Sequence, residues 1–193
     1  MPLDKLFATP VFHVDLPEPA RLLIETQFND AKDAIEMNLN DSTWGDNIRT
    51  TFIPGQNNFI EHFNLFGLLE FTIPVIKYFY DELYVGDEIG MFESWVNYQG
   101  KHQHQRQHTH HGSIISAVYY LKTNGNDGSI AFVNMTRVEH DYAFCEYTSP
   151  VVTYKPIEGR ILMFPGWLDH SVTENRTDDD RISFSFNVYL NRF

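Results

Sequence analysis

The second half of the chain alternates between short apolar stretches and turn residues. Between Arg181 and Val188, odd-numbered positions are polar and even-numbered positions are apolar. Because successive side chains of a strand point to opposite faces, this pattern predicts a strand with one polar and one apolar face. Further strands are expected at residues 92–99, 103–110, 113–122, 129–134, 150–154, 160–164 and 170–174. Regular short strands with turns between them indicate a sandwich or a barrel.

The first half of the chain has the period of amphipathic helices instead. Apolar residues recur at helical spacing over residues 19–39 and again from about residue 58 or 64 to residue 83. The expected buried faces are Leu22, Leu23, Phe28, Ala31, Ala34, Ile35 and Leu39, and Leu65, Leu68, Leu69, Val75, Ile76 and Phe79. Pro74 lacks a backbone donor and is expected to kink or split the second helix. A short strand or arm is expected within residues 6–16, and a loop at residues 40–58, with a strand near residues 49–53.

These patterns predict an α+β fold in a single domain over residues 1–193. Residues 1–85 would be mainly helical support, and residues 91–192 would be the β core. A chain of 193 residues with 42% hydrophobic residues is long enough to bury one sizeable core. Its formal net charge of -12 would repel phosphate backbones, which argues against a nucleic-acid partner.

The expected location is the cytoplasm. A single cysteine, Cys145, cannot form an internal disulfide, and the first six residues lack the pattern of a signal peptide. The most apolar window, residues 63–80, contains Glu70, Pro74 and Lys77, so we expect no membrane span.

A histidine-rich segment is the first candidate for a functional site. Five of the nine histidines lie between His102 and His111. Residues two apart in a strand point the same way, so His108 and His110 could bind one metal ion. His102, His104 and His111 are expected to lie outside the site, because not all five can be ligands. His170, at the start of a later strand, is the third candidate ligand; the alternative is a buried structural histidine.

Arg181 begins the polar face of the last strand. A guanidinium beside a metal site suggests a carboxylate ligand, which it binds through two parallel hydrogen bonds. The alternative is a strand facing solvent, with Arg181 paired to one of the aspartates at residues 178–180.

Together these residues resemble the iron(II)- and 2-oxoglutarate-dependent oxygenases, in particular a bacterial and phage branch. The resemblance covers roughly residues 91–192. It rests on Trp95-Val96-Asn97, on His108-Thr109-His110 followed by Ser116-Ala117-Val118-Tyr119-Tyr120, on the segment from Phe164 to Val172, and on Arg181-Ile182-Ser183-Phe184-Ser185-Phe186-Asn187. Ala117 stands where that branch usually has glycine.

The resemblance implies a double-stranded β-helix, or jelly-roll, with helices packed outside it. It implies Fe(II) held by His108, His110 and His170. Most of the superfamily has a carboxylate where this chain has His110, which leaves the reaction class open. It also implies that Arg181, with Ser183 or Ser185, binds the distal carboxylate of 2-oxoglutarate. The similar prolyl hydroxylases point to Tyr120 and Tyr98 for the same role.

The activity implied is a dioxygen-dependent hydroxylation that releases succinate and CO2. The substrate, a small molecule or a protein side chain, is not identified by the sequence. Loops at residues 40–58 and 136–148 are expected to frame the site. The apolar N-terminal arm would pack either in the interface of a homodimer or on the chain's own core. Two alternatives stay open: a cupin-type metal-dependent dioxygenase or isomerase that does not use 2-oxoglutarate, and a jelly-roll binding module without activity.

Overall fold

The computed structural model describes residues 8–42, 46–53, 58–83, 89–134 and 151–191. Within these ranges the helices are α1 (Glu18–Met37), α2 (Phe59–His62) and α3 (Phe66–Leu83). The strands are β1 (Phe12–Asp15), β2 (Asn40–Asp41), β3 (Arg49–Thr50), β4 (Ile89–Gln99), β5 (Gln105–His108), β6 (Ile115–Lys122), β7 (Ile130–Val133), β8 (Val151–Tyr154), β9 (Arg160–Pro165), β10 (His170–Val172) and β11 (Arg181–Leu190). The predicted loop at residues 136–148 and Cys145 lie outside the described residues.

The strands form two antiparallel sheets. The larger has the order β1-β9-β6-β11-β4-β3-β2, and the smaller has the order β5-β10-β7-β8. Neighbours in both sheets are mostly distant in sequence, as in a jelly roll, where the chain passes repeatedly from one sheet to the other. The predicted α+β fold with a double-stranded β-helix is therefore confirmed.

Two apolar layers bury both faces of the larger sheet. On the outer face, Phe184 packs against Phe28 of α1 and Phe59 of α2, with ring centroids 5.8 and 5.5 Å apart. On the inner face, a smaller cluster joins the two sheets; it consists of Ile130, Phe132, Leu162, Phe164 and Leu168. The polar face of β11 consequently points into the protein between the sheets, where its side chains are largely shielded from water.

The buried stripe of α1 differs from the predicted one. Its buried residues are Ala20, Ile24, Phe28 and Ile35. The first three are four residues apart and form one row along the helix, which packs on the larger sheet. Leu22 is 54% exposed, and Leu23 and Ala34 are also exposed, so their assignment to the core was wrong.

The break between α2 and α3 also lies at an unexpected place. Asn64 adopts a positive φ of 56°, and the helix restarts at Phe66. Helix α3 then continues through Pro74, so of the two effects predicted for this residue, a kink or a split, the split is wrong. Pro74 and Glu70 both lie on the exposed side of α3, where water can replace the hydrogen bond that proline cannot donate. No helix in the described ranges has both the length and the apolar character that a membrane crossing requires.

Candidate metal and co-substrate site

Three histidines converge between the two sheets. One ligand atom from each of His108, His110 and His170 lies within 4.8 Å of the others. His108 ends β5 and His170 begins β10, and the antiparallel register places these two residues opposite each other. Their ring centroids are 4.4 Å apart. Strand pairing thus brings together two histidines that are 62 positions apart in sequence.

His110 reaches the cluster by a different route from the predicted one. Strand β5 ends at His108, so the two histidines do not share a strand face. The backbone N–H of His110 instead donates to the carbonyl of Gly166, at 2.9 Å. The His110 ring lies 5.1 Å from each of the other two rings. A loop held by a long-range backbone hydrogen bond therefore positions this side chain.

Two of the rings are already oriented for a metal. His108 Nδ1 lies 2.7 Å from the carbonyl oxygen of Arg106, and His170 Nδ1 lies 2.8 Å from that of Leu168. Because a carbonyl only accepts, each Nδ1 carries the proton and each Nε2 is left as a ligand.

The cluster also favours the neutral form of the His110 and His170 rings. Burial, together with the neighbouring His108, lowers the pKa of His110 to about 3 and holds the pKa of His170 well below its usual value. Neutral imidazole is the form that binds metals, so this donor set fits a divalent transition metal.

The other histidines of the rich segment lie outside the cluster. His102 is exposed, and its Nδ1 lies 2.7 Å from a carboxylate oxygen of Glu174. His104 and His111 are also exposed. Of the five histidines, only His108 and His110 belong to the cluster with His170 among the described residues.

Arg181 is buried beside the histidines, with 2% of its surface exposed. One terminal nitrogen donates to the carbonyl of Gly128 at 3.0 Å, and the other donates to Gln99 Oε1 at 2.6 Å. Its Nε has no hydrogen-bond partner among the described residues. The alternative of a surface ion pair is wrong, because Arg181 is buried. Asp178 pairs with Lys101, Asp179 accepts a hydrogen bond from Asn124, and Asp180 pairs with Arg49.

The guanidinium is held by neutral acceptors. Burial lowers the pKa of Arg181, which reflects the cost of keeping this charge away from water. Such a group is compensated well by a carboxylate that binds next to it.

An inner cavity of about 50 Å³ joins Arg181 to the three histidines. Ser183, Ser185 and Tyr120 line the same cavity. The Tyr120 ring lies 5.8 Å from the guanidinium carbon, and burial raises the pKa of its hydroxyl, which stays protonated. Ser185 accepts a hydrogen bond from Asn97 at 3.0 Å.

Tyr98 lies on the wrong face of β4 for the predicted role. The register between β4 and β11 pairs Tyr98 with Ile182, whereas Gln99 pairs with Arg181. Tyr98 therefore belongs to the core under the helices, where burial raises the pKa of its hydroxyl. Its assignment to the co-substrate is corrected accordingly.

Gln99 is a site residue that the sequence analysis missed. Its side-chain N–H groups donate to the carbonyls of Gln103 and Thr173, at 2.8 and 2.9 Å. Both donors are thereby used, and the remaining oxygen is turned toward Arg181. The available signal was the alternation along β4, which puts residues 95, 97 and 99 on the inner face.

Comparison with known proteins agrees with this geometry. Residues 93–187 match the family described as "Putative 2OG-Fe(II) oxygenase". The chain belongs to the 2-oxoglutarate- and Fe(II)-dependent oxygenase superfamily. It is thus an Fe(II)- and 2-oxoglutarate-dependent dioxygenase, with iron as cofactor and 2-oxoglutarate as co-substrate. No curated protein sequence matches the chain significantly.

Solved structures share the fold of this oxygenase at low sequence identity. A prolyl-4-hydroxylase of Pseudomonas putida is 16% identical, with a TM-score of 0.64 over 95% of this chain and 94% of that one. A prolyl hydroxylase of Trichoplax adhaerens, in complex with a hypoxia inducible factor peptide, is 14% identical, with a TM-score of 0.65 over 93% and 83%. HygX of Streptomyces hygroscopicus, bound to nickel, 2-oxoglutarate and hygromycin B, is 14% identical, with a TM-score of 0.63 over 96% and 84%.

Gly166 of the oxygenase has little room for a side chain. A Cβ at this position would lie 2.0 Å from Ser113 Oγ and 2.4 Å from the backbone oxygen of Ser113. Gly166→Ala is therefore expected to lower the free energy of unfolding by about 1–3 kcal/mol, the usual cost of overpacking. It should also weaken metal binding, because the Gly166 carbonyl holds His110. Chemical denaturation and a metal titration would measure the two effects.

Gly125→Ala is the control for this prediction. Gly125 has a φ of +79°, but its Cβ would make only an ordinary van der Waals contact, with the Pro156 oxygen 3.9 Å away. The control should cost about 1 kcal/mol through backbone strain and leave metal affinity unchanged. A loss of stability in Gly166→Ala no larger than in the control, together with unchanged metal affinity, would contradict the steric account of Gly166.

Proposed function

We propose that this dioxygenase hydroxylates a C–H bond of its substrate, with release of succinate and CO2. His108, His110 and His170 would hold Fe(II), and Arg181 would bind the distal carboxylate of 2-oxoglutarate. The observation that carries the proposal is the convergence of three imidazoles and one buried guanidinium on a single cavity. Bound iron and 2-oxoglutarate would supply the electrons that activate dioxygen, and the chain's residues would bind and orient these groups.

The three proposed histidine ligands would contribute no charge to the metal site. His108 and His170 present Nε2 because backbone carbonyls fix their Nδ1 protons. With three neutral rings, the ligand set contributes no negative charge, unlike a set with two histidines and a carboxylate. A dianionic co-substrate would then supply the charge that balances a divalent ion.

Arg181 supports a dicarboxylate as the second group in the site. Its Nε is buried without a described partner, and its terminal nitrogens are fixed by Gln99 and Gly128. The donor fork is therefore held in place before a ligand arrives, which reduces the entropy lost on binding. The Tyr120 hydroxyl, kept protonated by burial, is a second candidate donor, and Ser183 a third.

An outer cavity of about 360 Å³ is the candidate substrate site. It shares His108, His110 and Trp95 with the inner cavity. Ser42, Asp46, Ile48, Thr50 and Phe52 also line it, which supports the predicted role of residues 40–58 at the mouth. Its size suits a small molecule or one protein side chain, and its lining combines the aromatic rings of Phe52 and Trp95 with polar groups. Cytoplasmic location, a homodimer and a single domain over residues 1–193 stay predictions.

An anaerobic titration tests the proposed function. Fe(II) and then 2-oxoglutarate are added to metal-free protein, and a visible charge-transfer band of chelated 2-oxoglutarate is expected. A matched 2-oxo acid without the distal carboxylate, 2-oxobutyrate, should give the band only at much higher concentration. Iron binding without any band would favour the cupin-type alternative, and no iron binding would remove the metal site.

A further inference from the structure

His110 has a second contact unlike those of the other two histidines. Its Nδ1 lies 3.3 Å from Nδ2 of Asn187, a residue of β11 that is 3% exposed. His108 and His170 meet backbone carbonyls at the equivalent atom. A carbonyl can only accept, whereas a side-chain amide offers either an acceptor or a donor, depending on which way it is turned. The tautomer of His110 is therefore the one that a side chain can change.

The observed amide orientation favours the tautomer that cannot bind a metal through Nε2. Asn187 Nδ2 only donates, so a hydrogen bond to His110 requires Nδ1 as acceptor and places the ring proton on Nε2. Because Nδ1 of His110 contacts Asn187, Nε2 is the ring nitrogen left to bind a metal. Metal binding at Nε2 needs the proton on Nδ1, and that proton then needs an acceptor.

We propose that Asn187 is a positioning residue whose amide turns over when metal binds, so that its oxygen accepts the Nδ1 proton of His110. The inference rests on the proposed metal site. Rotation by 180° exchanges Oδ1 and Nδ2 without moving the backbone. It converts the amide from a group that blocks the ligating tautomer into one that stabilises it.

The neighbours on the other side of the amide tolerate both orientations. Asn187 Oδ1 now accepts from Ser116 Oγ at 2.8 Å. After rotation, the same hydroxyl oxygen would accept from Nδ2. Ser116 Oγ could then donate to Ser113 Oγ, at 3.2 Å, and Ser113 Oγ to the carbonyl oxygen of His110, at 3.1 Å. A serine hydroxyl both donates and accepts, so no hydrogen bond is lost on this side.

Glu93 opposes the rotation. Its Oε2 lies 3.5 Å from Asn187 Nδ2 and accepts a hydrogen bond from the Tyr189 hydroxyl at 2.6 Å. A carboxylate attracts the amide N–H groups and repels the amide oxygen. Glu93 therefore favours the orientation found here and should weaken metal binding. If Glu93 acted only by attracting the metal cation, it would strengthen metal binding instead.

Nitrogen NMR of histidine-labelled protein tests the inference on the unaltered chain. His110 is expected as the Nε2–H tautomer without metal and as the Nδ1–H tautomer after Zn²⁺ is added. His108 and His170 should be Nδ1–H in both states. Finding His110 already as Nδ1–H without metal would overturn the proposal, and so would Nε2–H with Zn²⁺ bound. Absence of Zn²⁺ binding would instead count against the proposed function.

Two variants give an independent readout through Zn²⁺ affinity. Asn187→Leu is expected to weaken binding by about 10- to 100-fold, as loss of an outer partner of a metal ligand usually does. Asn97→Leu is the control, and its Zn²⁺ affinity should stay close to that of the wild type. It also removes a buried amide from the same face, but the hydrogen bonds of Asn97 go to Ser185 and Thr50. Glu93→Gln is expected to tighten binding by about threefold or more. Weaker binding in Glu93→Gln, or wild-type affinity in Asn187→Leu, would overturn the proposal.

Discussion

His170→Ala is expected to abolish tight metal binding by the protein. His170 is buried, and the β5–β10 register places it opposite His108. The variant would lose one of three ligand atoms, and no other described His, Cys, Asp or Glu belongs to the cluster. Removing an outer partner of a metal ligand already costs up to about 100-fold in affinity, so we expect a larger loss here. Anaerobic titration with Fe(II), or calorimetry with Zn²⁺, would measure it.

His102→Ala is the matched control for this experiment. It makes the same chemical change in the histidine-rich segment, but His102 is exposed and contacts Glu174. Its metal affinity should equal that of the wild type. His170 also packs on Phe164, with ring centroids 4.7 Å apart, so thermal unfolding of metal-free protein should be compared as well. Retained tight binding in a folded His170→Ala variant would exclude His170 as a ligand.

Arg181→Ala is expected to weaken 2-oxoglutarate binding by about 150- to 5000-fold. Losing one partner of a buried charged pair costs about 3–5 kcal/mol, since the other charge is left without compensation. The titration midpoint of the charge-transfer band gives the affinity. Metal affinity should stay close to that of the wild type, because Arg181 is absent from the histidine cluster.

Arg176→Ala serves as the control for charge alone. Arg176 is exposed on the surface near Glu174 and lines neither cavity. Its 2-oxoglutarate affinity should not change. Equal affinity in Arg181→Ala and the wild type would refute the assigned role. A parallel loss of metal and 2-oxoglutarate would instead indicate general damage to the site.

The β half of the fold could be predicted because its signals are local. Each strand is marked by β-branched and aromatic residues between turns, and the structure has a strand at every predicted place. The buried face of α1 could not be fixed in the same way. Leu22 and Leu23 are as apolar as Ile24, and only the sheet beneath the helix decides which of them is covered.

The residues of the candidate site that belong to sequence motifs could be predicted. Those whose position depends on strand register or long-range contacts could be predicted less well. The histidines and Arg181 followed from the motifs, and the structure brings them together. Gln99 and Tyr98 are neighbours on β4, and a shift of one residue in the register with β11 would exchange their faces. The position of His110 depends on the carbonyl of Gly166, a contact across 56 positions that no local pattern encodes.

If Arg181 binds 2-oxoglutarate as proposed, its buried guanidinium ties the persistence of this protein to the supply of that metabolite. A charge that the folded chain desolvates, and pairs only with neutral acceptors, makes the ligand-free state less stable than the complex. A ligand present at a hundred times its dissociation constant adds about 2.7 kcal/mol to the free energy of unfolding. Differences of that size change the fraction of unfolded chains exposed to proteases several-fold. With that role for Arg181, a cell short of 2-oxoglutarate would lose this enzyme by turnover as well as by inactivity.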